Sequence, residues 1–218
     1  MTTGILIATY NSTKYINEAL ASISSQTRPP DQVIVVDDCS TDGTLEAVQR
    51  WAAGQPFDVI PLSNDARAGV PAAGRDKGLK CATTDLIALL DHDDMMSPDN
   101  LETLAGAFGI RSDLTLAFGD ATEFCVDPSD GRSFLAGKQH ESLPYEELAC
   151  GFRVLTGEVF ESLLVGSYVP TMSCLFRREA ALKAGGFATE TGTADDGHLW
   201  MRLALLGTVG NVPQSIGY

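Results

Sequence analysis

Four short apolar runs, at residues 4–9, 32–36, 57–62 and 86–90, recur through the first part of the chain with a helix-length stretch between successive runs. Runs this short, rich in Val, Ile and Leu, read as strands buried on both faces. Strands that alternate with amphipathic stretches fold as a parallel sheet covered by helices. The spacing predicts helices over 13–25, with Tyr15, Ile16, Ala19, Leu20 and Ile23 on one face, over 44–53, and over 71–81 despite Gly74 and Gly78. An α/β fold with a mainly parallel, Rossmann-like central sheet is expected.

In such sheets ligands bind at the carboxyl ends of the strands, and acids collect there. The 86–90 strand empties into Asp91-His92-Asp93-Asp94. Carboxylates so close repel one another, and a cation, a donor network or a raised pKa must offset the repulsion. A hard divalent ion, Mg²⁺ or Mn²⁺, suits oxygen ligands. The other reading is a solvated acidic turn leading into the next helix, with Ser97 as N-cap and Pro98 at the first helical position. Asp37 and Asp38 follow the second strand; they either cap the next helix or accept a hydrogen bond from a nucleobase or ribose. Arg75 either reaches a phosphate or base, or pairs with Asp76 at the surface.

The 218 residues, 44% of them hydrophobic, suffice to bury about 70% of the unfolded surface in one core. A net charge of −14 argues against nucleic acid or anionic lipid as the main partner. No stretch reaches the roughly 18–20 apolar residues of a membrane span, and the start lacks the features of a signal peptide. A soluble, cytoplasmic body is expected, at most at the inner face of the membrane through a segment absent from this chain. The 5 cysteines contain no Cys-x-x-Cys pair and read as reduced thiols.

After Phe118 the rhythm changes. Residues 119–150 read as strands and loops of an inserted or mobile region. Order returns with a strand at 172–176, a short helix at 179–184 closed by Gly185-Gly186, and a last helix opened by Asp195 or Asp196 and running through Leu206. The commonest dinucleotide, P-loop and hydrolase-elbow motifs are absent.

Taken together, several segments resemble the inverting family 2 glycosyltransferases of GT-A fold. They are Ile5-Leu6-Ile7-Ala8-Thr9-Tyr10-Asn11, the Val35-to-Thr44 turn, Asn64 with Gly69, Ala73-Gly74-Arg75-Asp76-Lys77-Gly78, Leu90-Asp91-His92-Asp93-Asp94, and Asp195-Asp196-Gly197-His198-Leu199-Trp200-Met201-Arg202. The resemblance implies one GT-A domain, with a nucleotide-sugar half over 1–118 and an acceptor-side half over 119–218. It places the base of a UDP-sugar against Ala8 and Tyr10, with Asp38 bonding the uracil imide and Arg75 in the donor site. Asp91, Asp93 and Asp94 cover the Asp-x-Asp motif, with Asp93 toward ribose and sugar and Asp94 toward Mn²⁺ or Mg²⁺. Asp196 matches the catalytic base and Asp195 stands where Glu is commoner.

The implied reaction is metal-assisted displacement of a nucleoside diphosphate by a hydroxyl of a glycan or lipid-linked acceptor, in polysaccharide biosynthesis. Two departures stand out. Relatives usually continue past Tyr218 to a metal-ligating histidine, so the chain is expected to be truncated, and His92, His140 and His198 do not occupy that place. The second is the weakly patterned 119–170 region, expected to face the acceptor; Asp76 also stands where Asn is usual. A catalytically silent nucleotide- or glycan-binding module and a nucleotidyltransferase are the alternatives.

Overall fold

In the computed structural model residues 1–123, 131–191 and 194–218 are described. The first half runs β1 (Thr3–Thr9), α1 (Ile16–Ser24), β2 (Gln32–Asp37), α2 (Thr44–Ala52), β3 (Asp58–Ser63), α3 (Pro71–Cys81), β4 (Leu86–Leu89), α4 (Asn100–Ile110) and β5 (Leu114–Asp120). Then come β6 (Thr122–Glu123), β7 (Arg132–Ser133), β8 (Tyr145–Glu147), β9 (Arg153–Leu155), α5 (Val159–Val165), β10 (Cys174–Arg177), α6 (Arg178–Lys183), α7 (Asp195–Ala204) and β11 (Thr208–Ser215).

The main sheet has the order β3-β2-β1-β4-β10-β5-β11-β9-β8. β1 to β4 are parallel; β1, β2 and β4 are buried on both faces, which their apolar sequences suit, while β3 is the part-exposed edge. Alternate residues enter two cores. Ile5, Ile7, Val33, Val35 and Leu86 pack with Leu20 of α1, Val48 of α2 and Leu104 of α4. Leu6, Ile34, Val36 and Ile87 pack on the other side with Leu79 of α3 and Trp200 of α7. β10 breaks the parallel pattern, lying antiparallel between β4 and β5.

Gly74 and Gly78 let α3 lie directly on β1 and β2. A Cβ at Gly74 would stand 3.1 Å from that of Ala8, and one at Gly78 would meet Leu6 Cδ1. The low helix propensity of glycine is accepted here for close approach.

Several expectations change. Ser97 does not cap a helix: α4 starts at Asn100 with Asp99 as N-cap, and Ser97 Oγ is buried without a partner among the described residues. The reason is a C-terminal clamp. Ser97 N donates to Ile216 O at 3.0 Å, while Met95 and Tyr218 exchange backbone bonds of 2.7 Å, so the segment after the acidic loop is held by strand-like pairing. α7 stops at Ala204, leaving Leu205 and Leu206 exposed. The 119–150 region holds the short strands β6 to β8, but 124–130, Cys125 included, lies outside the described residues. Cys39, Cys81 and Cys174 are free thiols.

Candidate active site

The β1 and β2 strands end in loops that are laced together. Asn11 and Cys39 adopt left-handed backbones, φ 45° and 64°, uncommon for residues other than glycine and concentrated at functional sites. Asn11 N donates to Ser40 Oγ at 2.8 Å, and Thr41 N donates to Asn11 Oδ1 at 2.9 Å. Asp37 accepts from Ser40 N at 2.8 Å and from its hydroxyl at 2.5 Å, so it shapes the turn. The residue that serves the α2 N-terminus is Asp42, which accepts from Thr44 N and Oγ1 at 3.1 and 2.6 Å. The capping reading of Asp37 and Asp38 is thereby corrected: Gly43 is the N-cap of α2, and Asp42 bonds the first residue of the helix.

Asp38 instead organises the loop after β3. Its carboxylate accepts from Asn64 Nδ2 at 2.7 Å and from the amides of Ala68 and Gly69, each at 2.8 Å. Burial alone would raise its pKa; the Ala68, Asn64 and Gly69 donors and the Arg67 charge outweigh it and hold the carboxyl below its usual range. A carboxylate has about four acceptor positions, so one remains. Beside it opens a cavity of about 430 Å³ bordered by Ala8, Tyr10, Asp38 and Arg67. The Arg67 guanidinium lies 4.0 Å from the Tyr10 ring centroid. Arg67 was not anticipated; its place between Asn64 and Gly69 is the only sequence signal for it.

Arg75 is not a surface residue. It is 5% exposed and stands between two carboxylates. Nη2 donates to Asp91 Oδ1 at 2.5 Å, and Nη1 donates to Asp195 Oδ2 and Oδ1 at 3.0 and 3.2 Å. Burial opposes its charge, but Asp91 and Asp195 prevail and raise its pKa. The expected pairing with Asp76 is overturned: Asp76 binds Lys80 and accepts from Phe187 N at 3.3 Å.

The acids after β4 divide. Asp91 is engaged by Arg75, Asp93 is exposed, and Asp94 is part-buried. The Asp94 carboxyl is pushed up to about 7, first by burial and then by repulsion from Asp91 and Asp93. Among the described residues no three His, Cys, Asp or Glu side chains already converge as a metal cage. Mg²⁺ or Mn²⁺ in nucleotide sites needs only one or two carboxylates, with phosphate and water completing the shell. Asp93 and Asp94, oxygen donors whose mutual repulsion a cation relieves, fit that demand.

Asp195 and Asp196, in the first turn of α7, point to different tasks. Asp195 is fully buried against Arg75. Asp196 accepts from Gly197 N at 2.6 Å and from Thr171 Oγ1 at 3.2 Å, and it borders both the first cavity and a second of about 610 Å³. Thr171 was missed, since nothing in the local spacing links it to α7. His92 lies at the first cavity's wall, His140 is buried with its ring 5.4 Å from that of Tyr168, and His198 is exposed.

Residues 4–153 match the model of Glycosyl transferase family 2. The chain belongs to that family. Poly(ribitol-phosphate) beta-N-acetylglucosaminyltransferase TarS of Staphylococcus aureus is 36% identical over 103 residues, 46% of this chain and 18% of that protein. Glucosyl-dolichyl phosphate glucuronosyltransferase of Haloferax volcanii is 27% identical over 206 residues, 91% of this chain and 60% of that one. The crystal structure of S. aureus TarS 1-349 in complex with UDP-GlcNAc superposes with a TM-score of 0.75 at 22% identity, covering 100% of this chain and 58% of that one. Mannosyltransferase PcManGT from Pyrobaculum calidifontis, in complex with GDP-Man and Mn²⁺, gives 0.67 at 23% identity over 98% and 54%. The fold of this family 2 chain is GT-A, and the chain spans less than two thirds of the length of each of these relatives.

Proposed function

We propose that the chain catalyses inverting transfer of a sugar from a nucleotide-sugar, a UDP-sugar foremost, to a hydroxyl of a glycan or lipid-linked acceptor. The observation that carries this reading is the position of Asp196 on the wall common to two cavities. One cavity, within the 1–118 half and α7, takes the donor; the other, largely from the 119–218 half, takes the acceptor.

The base lies against Ala8 and Tyr10, and the free acceptor position of Asp38 receives a ring N–H. Uracil has one at that edge and cytosine does not. The acceptor oxygen attacks the anomeric carbon as the bond to the diphosphate oxygen breaks, and its proton passes to Asp196. Attack from the face opposite the leaving group inverts the configuration. Thr171 and the Gly197 amide hold the Asp196 carboxylate in place, while Arg75 fixes Asp195 beside it. A divalent ion, when bound by Asp94 and Asp93, supplies Lewis-acid stabilisation of the departing diphosphate.

Asp196→Asn tests this assignment. It removes the base while keeping size and one acceptor oxygen, so transfer should fall on the order of 10²–10⁴-fold with nucleotide binding retained. Transfer at the parental rate would exclude Asp196 as the base. Nucleotide binding with no diphosphate release in the parent would favour a silent binding module instead.

A further inference from the structure

The second cavity has walls of one charge sign. Glu18, Asp93, Asp94, Glu123 and Asp196 border it, and no Lys, Arg or His stands among its described lining residues. Tyr15, Phe134 and Tyr218 add aromatic faces. The lysines beside these rings are engaged by them. Lys14 Nζ lies 4.6 Å from the Tyr15 ring centroid and donates to its hydroxyl at 2.6 Å, and Lys138 Nζ lies 4.5 Å from the centroid of Phe134; neither lines the cavity.

We infer, resting on the transferase reading above, that the acceptor is an uncharged carbohydrate, and that this cavity rejects acceptors bearing phosphate or carboxylate near the reacting hydroxyl. Carboxylates accept hydrogen bonds from sugar hydroxyls, and aromatic faces cover the apolar C–H face of a sugar ring. The same walls meet an anion with like charge and offer it no donor fork. A bound divalent ion offsets Asp93 and Asp94 and leaves Glu18 and Glu123, of which Glu123 has Arg132 as its cross-strand partner. The acceptor class therefore differs from the poly(ribitol-phosphate) named for the staphylococcal relative.

The test measures nucleoside diphosphate release from UDP-N-acetylglucosamine, UDP-glucose and GDP-mannose, with Mn²⁺, in the presence of a neutral glycoside, its 6-phosphate or its uronic acid counterpart. The neutral glycoside should raise release at least about tenfold over water alone, with the anionic pair near the water rate and the gap narrowing as salt screens the walls. The Glu18→Gln, Glu123→Gln double variant should lower KM for the anionic glycosides by about 3–10-fold. An anionic glycoside that matches or exceeds its neutral counterpart overturns the inference. Absence of release with every donor, even to water, overturns the transferase reading instead. The charge preference is then decided by NMR titration of the same glycosides, where equal or tighter binding of the anionic ones overturns it.

Discussion

Arg75 and Asp195 form a buried ion pair in which one guanidinium nitrogen reaches both carboxylate oxygens, at 3.0 and 3.2 Å, one residue before Asp196. The second nitrogen holds Asp91, so a single planar group ties the end of β4 to the start of α7. In the proposed function Arg75 is thus a positioning residue for Asp196. A lysine ammonium cannot span both carboxylates with the same fork. Arg75→Lys should reduce kcat by about 10–100-fold, as displacement of a base by an ångström does, with donor KM changed far less. Arg75→Ala leaves Asp195 buried and unpaired and should cost about 3–5 kcal/mol in denaturant unfolding. A lysine variant with parental kcat would refute the positioning role.

Asp38 supports a loop, and in the proposed function it also meets the nucleotide base. Asn in its place presents an N–H to donors and leaves one of them unsatisfied, a cost of about 1–3 kcal/mol, or roughly 2–12 °C in melting temperature for a chain of this size. Because its folded pKa lies below the ordinary value, its contribution is complete above that value and fades as pH falls through the lowered one. Melting curves should therefore show a steeper acid decline in the parent than in Asp38→Asn below about pH 4. The variant should also bind UDP at least about tenfold more weakly, by loss of a charge-assisted bond. Unchanged UDP affinity by calorimetry would remove Asp38 from the base site.

The first half of the fold was legible because β1, β2 and β4 are buried on both faces, which writes them as unbroken apolar runs, and because their acids stand at strand ends. In the second half the strand at 172–176 and the helices from 179 and 195 were readable, and the remaining elements carry no such signal. β11 contains Gly210, Asn211 and Pro213 and shifts register between Val212 and Ser215, so neither a period of two nor an apolar run survives. Nothing in Cys174–Arg177 encodes that β10 enters antiparallel. At the site, the types of Arg75, Asp91 and Asp195 were readable but their partnership was not: the contacts span 16 and 120 residues, and only the sheet order brings them together.

Gly78 offers a test of that packing apart from catalysis. An added methyl meets Leu6 Cδ1 and stands 3.4 Å from Val36 Cγ2, and both side chains are buried. Overpacking of this kind costs about 1–3 kcal/mol, against roughly 1 kcal/mol gained in helix propensity. Gly78→Ala should lower the denaturation midpoint without altering the m-value. A more stable variant would mean that α3 can lift from β1 without loss.

Asp94 links pH, stability and metal. With its carboxyl pushed up to about 7, the folded state without metal holds a proton that the unfolded chain releases near the ordinary carboxylate value. Between those values the folded state binds more protons, so stability falls as pH rises. Discounted for partial exposure, the loss is about 2 kcal/mol, or roughly 4–8 °C between pH 4 and pH 8. Asp94→Asn should flatten this part of the slope and melt higher than the parent at pH 8. Mn²⁺ reverses the sign, because only the deprotonated carboxylate is a ligand. Metal-dependent stabilisation of the parent should grow through pH 7, approaching tenfold in affinity per pH unit below it, and should vanish in Asp94→Asn. Thermal melts at several pH values, with and without Mn²⁺, decide the matter. A variant that keeps both the slope and the metal response would move the metal ligand elsewhere in the acidic loop.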